Sequence, residues 1–289
     1  MSTSIGIVGC GAIGKKLLEE SNTGRFKVDI SGVNSRSETK ARSFLSNLDT
    51  PPPYLGLAEL ISRSDMIVEA AGGEVVSDLA SACFASGKNL MIISVGALLE
   101  CPDIVEQARI SGNHLFIPSG AIAGLDGIKS ACRGQINHVT MASRKPPEAL
   151  KGAPYLIENS ISLANITTEK LLFDGSAREA CKGFPANINV SAAVSLAGIG
   201  PDSTRVQIIA TPGLNRNCHD VEVDGEFGKL NIHIENIPSE NPKTGRLTSL
   251  SIIRSIEDSM DMFHVCLLYT SDAADDTPCV ALGGRRIIK

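Results

Sequence analysis

Three glycines near the start of the chain, Gly9, Gly11 and Gly14, have the spacing G-x-G-x-x-G. They follow a short apolar run, Ile5 to Val8, and open a stretch from Lys15 to Ser21 that reads as a helix with Leu17 and Leu18 on its buried side. Between a strand and a helix, each glycine has a task. Gly9 permits the tight turn, Gly11 lets the backbone approach a pyrophosphate, and Gly14 lets helix and strand pack closely. The amides of Ala12 and Ile13 at the helix start, with the positive end of the helix dipole, suit phosphate oxygens. The chemistry these residues point to is dinucleotide binding.

The second strand, Phe26 to Val33, runs into Asn34-Ser35-Arg36. An acid at this point, about 20 residues past the glycines, would accept the ribose 2′-hydroxyl and repel a 2′-phosphate. Asn34 has no such charge, and Arg36 can pair with a 2′-phosphate. NADP is therefore admissible and NAD is not excluded; a solvated loop charge is an equal reading of Arg36. No tight Cys/His cluster or C-x-x-C pair suggests a metal.

Five histidines are available for proton transfer. His219 follows Asn217 and Cys218 in a polar segment, and an imidazole of ordinary pKa titrates near neutrality. On the residues alone, a hydrogen-bonded structural histidine is the favoured reading. His114 and His138 fall at strand edges, His264 lies near the C-terminus, and His233 alternates with Ile232 and Ile234 and is expected to face solvent or an interface. Cys218 is set aside as a nucleophile because neighbours on a strand point to opposite faces. Arg144 and Lys145 precede Pro146-Pro147, and either an anionic substrate or solvent is open to them. Lys243 and Thr244 are candidates for carboxylate or nicotinamide contacts, with a helix-capping role equally open to Thr244.

These residues need a scaffold, and the apolar pattern supplies one. Strands at Met66–Ala70, Asn89–Ser94 and His114–Ile117 alternate with helices at 38–48, 75–86 and 102–111. That alternation predicts a Rossmann-type, doubly wound parallel sheet. After Pro118 the pattern changes. Runs at 136–142 and 170–174 are strand-like, those at 205–210, 220–226 and 229–235 alternate apolar and polar residues, and together they predict a second α+β domain with a mixed or antiparallel sheet. A last helix, about 248–256, carries Leu250, Ile253 and Ile256 as its expected apolar side and is placed back against the first domain. The domains are set at 1–122 (dinucleotide binding) and 123–244 (substrate and oligomerisation), with 245–256 packing back.

Composition excludes other classes. Lys and Arg number 27 against 32 Asp and Glu, a net charge of −5, which argues against nucleic acid or an anionic membrane as partner. No apolar run approaches the roughly 20 residues of a membrane span. Eight scattered cysteines and the lack of an export signal fit a cytoplasmic protein with reduced thiols.

The segments PSGAIAGLD (118–126), FPANINV (184–190), NRNCH (215–219) and NIPSENPKT (236–244), with the glycine loop and RKPP (144–147), resemble the motif set of the L-aspartate dehydrogenase family. The resemblance runs from Ile5 to about Ile256. It implies NAD(P)-dependent oxidation of L-aspartate to iminoaspartate, which hydrolyses to oxaloacetate and ammonia or feeds NAD biosynthesis, in a homodimer or homotetramer. It implies His219 as the catalytic residue and Ala121 and Asn189 as cofactor contacts. One departure is Thr211, where the family usually has Asp in Ala-Asp-Pro. Two alternatives stay open: another two-domain amino-acid dehydrogenase acting on a homoserine-like substrate, and a dinucleotide-binding regulator without catalysis. The stretch 267–289 lacks helical or strand periodicity. Its end, from Val280, resembles a reading frame through a sequencing adapter, so it is expected not to be native.

Overall fold

The structure is a computed structural model that describes residues 3–185, 189–238, 245–261 and 263. The first half contains β1 (Ser4–Val8), α1 (Ala12–Asn22), β2 (Asp29–Asn34), α2 (Glu38–Leu45), α3 (Leu57–Arg63), β3 (Met66–Glu69), α4 (Val76–Ala85), β4 (Asn89–Ile92), α5 (Asp103–Ser111) and β5 (Leu115–Phe116). Its five strands form one parallel sheet in the order β2-β1-β3-β4-β5. The inner strands are apolar throughout because both faces are covered: Ile5, Ile7, Ile67, Val68, Leu90 and Met91 are all fully buried. The strand order reverses between β1 and β3, and a doubly wound sheet opens its ligand crevice there, beyond the carboxyl ends of the strands.

The second half contains α6 (Leu125–Ala131), β6 (Ile136–Lys145), α7 (Pro147–Leu150), α8 (Pro154–Glu158), β7 (Lys170–Ser176), α9 (Ala177–Gly183), α10 (Asn189–Ala197), β8 (Arg205–Ala210), β9 (Asn217–Gly225), β10 (Gly228–Asn236) and α11 (Arg246–Asp258). Its sheet, ordered β10-β9-β6-β8-β7, is mixed: β6 and β8 are parallel and the other pairs antiparallel. A capping box starts α9, in which the Ser176 hydroxyl accepts from the Glu179 amide while the Glu179 carboxylate accepts from Ser176.

Helix α11 returns to the first sheet, where Ile252 and Ile256 join Ile5, Leu17, Leu18 and Met91 in one apolar cluster. The buried stripe differs from the expected one. Ile252 and Ile256, four residues apart, are fully buried, whereas Leu250 is 58% exposed. Helix α3 has no counterpart in the sequence pattern, since its seven residues bury only Leu60 and Ile61 and are too short to display a period. The largest core cluster crosses between the halves, with Ile67, Leu79 and Leu90 in the same cluster as Phe184, Ala192, Val206 and Ile208. No helix among the described residues is long and apolar enough to cross a membrane.

Candidate active site

A cavity of about 320 Å³ lies where the two halves meet. From the first half it takes the start of α1 (Ala12, Ile13) and the segments that leave β3, β4 and β5 at their carboxyl ends, including Gly72, Ser94 and Ser119. From the second half it takes the end of β6 (Lys145), the start of α10 (Asn189), and Asn217 and His219 of β9. Thr248 and Ile252 of α11 close one side.

The glycine loop has the shape that a pyrophosphate requires. Gly9 sits at φ +112°, a conformation L side chains rarely adopt, and a β-carbon there would strike the Ala70 backbone. A β-carbon on Gly14 would strike the Gly9 carbonyl, so helix and strand touch backbone to backbone. Gly11 is the opposite case: a β-carbon there would meet no protein atom within 4 Å. Gly11 is also the N-cap of α1, it supplies no side-chain hydrogen bond, and the first turn holds no acidic residue. Open space in front of uncapped helix amides is an anion site, and these residues fit a dinucleotide.

Glu69 shapes the neighbouring floor. It ends β3 and is fully buried. Its Oε1 accepts hydrogen bonds from the amides of Ala71 and Gly72, both at 2.8 Å, and from the Ser94 hydroxyl at 3.0 Å. Its Oε2 accepts from the Ser94 amide at 2.9 Å. One carboxylate thus ties together the segments that follow β3 and β4.

At the end of β2 the Asn34 side chain is committed, since its Nδ2 donates to the Leu55 carbonyl at 2.8 Å. Arg36 is almost fully exposed, and its guanidinium lies 3.9 Å from the carboxylate of Glu74, itself 90% exposed. No acid directly follows β2 along the sequence; Glu74 arrives from the segment after β3.

The second-half residues form a compact polar group. Ser143 and His219 are direct partners across β6 and β9, and Ser143 Oγ lies 3.0 Å from His219 Nδ1. His219 Nε2 has no hydrogen-bond partner among the described residues, and the ring lines the cavity. Lys145 lies two residues beyond Ser143 on the same face of β6 and is 3% exposed. Burial, with the Lys145 charge second, pushes the His219 pKa down to about 3. The expected near-neutral titration is therefore corrected: the free protein holds His219 as a neutral imidazole. Burial likewise lowers Lys145 to about 8.

Arg144, next along the strand, turns the other way to pair with Glu169 and Asp220 on the exposed face. The sequence left this pair of cations together; the pleat separates them. The signal was present in alternation, because Val139, Met141, Ser143 and Lys145 share the buried face, whose apolar run turns polar at its end. On the exposed face His233 bonds Asp220 at 2.6 Å, and that carboxylate raises its pKa. Cys218 is buried, which raises its thiol pKa, and as the strand neighbour of His219 it points to the opposite face.

Ala121 is buried at the cavity wall, and its carbonyl accepts from Asn236 Nδ2 at 2.9 Å. Asn189 Oδ1 accepts from the Gly96 amide at 3.1 Å, which fixes the start of α10 against the segment after β4. Thr211 lies outside the cavity lining; its hydroxyl donates to Glu169 at 3.1 Å and its amide to the Lys145 carbonyl at 2.8 Å. Lys243, Thr244 and the stretch 267–289 lie outside the described residues. No group of His, Cys, Asp and Glu among the described residues is arranged to hold a metal ion.

Comparison with known proteins divides the chain at the same place as the fold. Residues 9–118 match the family model described as homoserine dehydrogenase, NAD binding domain, and residues 126–259 match that described as aspartate dehydrogenase, C-terminal. The chain is 42% identical over 249 residues to an L-aspartate dehydrogenase of Bradyrhizobium diazoefficiens, covering 86% of this chain and 89% of the relative. It is 42% identical over 266 residues to that of Methanosarcina mazei, covering 90% and 98%. Among solved structures, the aspartate dehydrogenase of Thermotoga maritima superposes with a TM-score of 0.71 at 26% identity, over 92% of this chain and all of that one. A homoserine dehydrogenase of Thiobacillus denitrificans, at 14% identity and a TM-score of 0.57, covers 89% of this chain and 73% of its own and shares the fold.

Proposed function

The chain belongs to the L-aspartate dehydrogenase family, and from that premise we propose that it oxidises L-aspartate to iminoaspartate with NAD or NADP as hydride acceptor. The observation that carries this reading is the single cavity in which the start of α1 and the buried His219 face the same space. Gly9, Gly11 and Gly14, with the amides of Ala12 and Ile13, would hold the pyrophosphate. Asn34 and Arg36 would lie toward the ribose, and Ala121 and Asn189 would contact the cofactor further in. When bound, the nicotinamide supplies the hydride acceptor that no side chain can provide.

The chain's own part is to orient the substrate, exclude water and move a proton. His219 Nε2 accepts the proton that the substrate amine gives up as the C=N bond forms. An imidazole with a pKa of about 3 is a weak base, but a dicarboxylate brings negative charge into a buried site and raises the pKa of every group nearby. Base strength thus appears when substrate is present. The imine then hydrolyses to oxaloacetate and ammonia. Its alternative fate, feeding NAD biosynthesis, rests on the family resemblance, as does a homodimeric or homotetrameric assembly; a cytoplasmic location rests on the scattered cysteines. In this reading residues 1–122 bind the dinucleotide and 123–244 the substrate.

The test is the appearance of reduced nicotinamide absorbance with L-aspartate and each cofactor, set against L-homoserine and other amino acids. Turnover of L-homoserine in preference to L-aspartate would replace this reading with the homoserine one. Cofactor binding without turnover of any amino acid would replace it with a regulatory role.

A further inference from the structure

The proposed reaction leaves one problem unsolved: a substrate with two carboxylates must enter a buried cavity. Among the described residues that line it, Lys145 is the only side chain with a formal charge. The others are apolar or carry neutral polar groups, such as Asn217, Asn236 and Thr248. We propose that Lys145 is the anion-binding group of this site, and that its ammonium takes a carboxylate of the dicarboxylate substrate. The inference rests on the substrate reading above.

Three observations support it. Lys145 ends β6 on the face shared with Ser143 and His219, so a carboxylate on its ammonium lies beside the imidazole that receives the amine proton. Its backbone is held along β8: Ala210 pairs with it, and the amide of the next residue, Thr211, donates to its carbonyl. Anchored at the backbone and 3% exposed, Lys145 lines the same cavity as His219. Finally, burial costs this ammonium part of its basicity, and its pKa falls to about 8. A carboxylate ligand reverses that cost, because an opposite charge within a few ångströms favours the charged form. In a low-dielectric site such a charge-assisted hydrogen bond is strong.

The half-buried Arg144 serves as the internal control. It is the adjacent cation on the same strand, but it pairs with Glu169 and Asp220 on the opposite face.

The test measures binding separately from turnover. The complex of enzyme with NADH is titrated with succinate, a dicarboxylate that lacks the amine and cannot react. Lys145→Met keeps most of the length of the side chain and removes its charge. We expect the Kd for succinate and the KM for L-aspartate to rise by ~30-fold or more, the size of a lost charge-assisted contact. NADH affinity stays within about twofold, and Arg144→Gln leaves succinate binding unchanged. Removing a buried cation should not unfold the protein, and Lys145→Gln provides a second variant. Unchanged succinate affinity in both variants, with kcat collapsed, would assign Lys145 to proton transfer and overturn the proposal. A loss of NADH affinity equal to the loss for succinate would overturn it as well. Wild-type enzyme that oxidises no L-aspartate would remove the function reading itself, a result distinct from a variant that still binds succinate.

Discussion

Ser143 holds His219 twice. The two residues are directly paired across β6 and β9, and the serine hydroxyl meets Nδ1 of the ring at 3.0 Å. Backbone register sets where the ring stands, and the hydrogen bond sets how it is turned. Fixing Nδ1 in this way assigns Nε2 to the cavity, as second partners of histidines do at many sites.

His219→Ala should lower kcat by roughly 10²–10⁴-fold, the usual range for a general acid–base group, while NADH affinity measured by fluorescence titration stays near wild type. Ser143→Ala should lower kcat by a smaller factor, roughly tenfold, because the ring remains but loses its orientation. Comparable kcat in His219→Ala at saturating L-aspartate would remove His219 from the chemistry.

The glycine loop predicts opposite outcomes at two neighbouring positions. Gly11→Val faces open space, so the protein should fold with an unchanged melting temperature and lose dinucleotide binding. Gly14→Val would drive side-chain atoms into the Gly9 backbone, so it should lower the melting temperature, and binding should fail because the loop is displaced. Thermal denaturation and NADH titration on both variants separate the two mechanisms.

Arg36 and Glu74 lie 3.9 Å apart at the proposed ribose end, both exposed. Arg36→Asp should reduce kcat/KM for NADP and spare NAD, through repulsion of the 2′-phosphate. Glu74→Ala should act in the other direction, raising NADP use by about fivefold at low salt, the scale of an exposed charge interaction. Equal effects on both cofactors would place these residues away from the ribose.

Glu69→Gln replaces a carboxylate that accepts four hydrogen bonds with an amide that must turn its NH2 toward an existing donor. The mismatch should cost about 1–3 kcal/mol and lower the melting temperature. It should also weaken NADH binding, since the segments after β3 and β4 lose their common anchor. A stable variant with normal NADH affinity would show that the floor does not depend on this clamp.

Burial of His219 fixes the sign of one pH dependence. Its pKa falls from 6.5 to about 3 on folding, so between those values the unfolded chain binds a proton that the folded chain does not. Stability from this residue is intact above pH 6.5 and is lost as pH falls toward 3. In urea titrations His219→Gln should therefore flatten the acid limb, with the difference from wild type growing below pH 6.5. Parallel acid limbs would mean that the ring is solvated.

Much of this was legible before the structure. The glycine spacing at a strand end foretold the tight turn between β1 and α1, because close backbone packing is a local constraint and leaves a local motif. Apolar runs at Met66–Glu69 and Asn89–Ile92 gave the parallel sheet. The titration of His219 was not legible, since it depends on burial and on a lysine 74 positions away in sequence, brought close by pairing of β6 with β9. The opposite facing of Arg144 and Lys145 required the pleat and the register. Glu74 was missed because the charge near Arg36 comes from another crossover. The stripe on α11 was misplaced because apolar residues occupy several of its sides and only contact with β1 and α1 decides which are buried.

The continuous core also limits how such a protein can be recombined. Phe184, Ala192 and Val206 of the second half share one apolar cluster with Leu79 and Leu90 of the first. The seam near residue 120 therefore does not separate two folding units. A chimera joining the first 118 residues of one relative to the remainder of another would bring together two surfaces shaped for different partners. It should melt below both parents even with every cavity residue preserved. The nucleotide half cannot be exchanged like a cassette; sequence change in α9, α10 and β8 has to keep pace with change in α4 and β4.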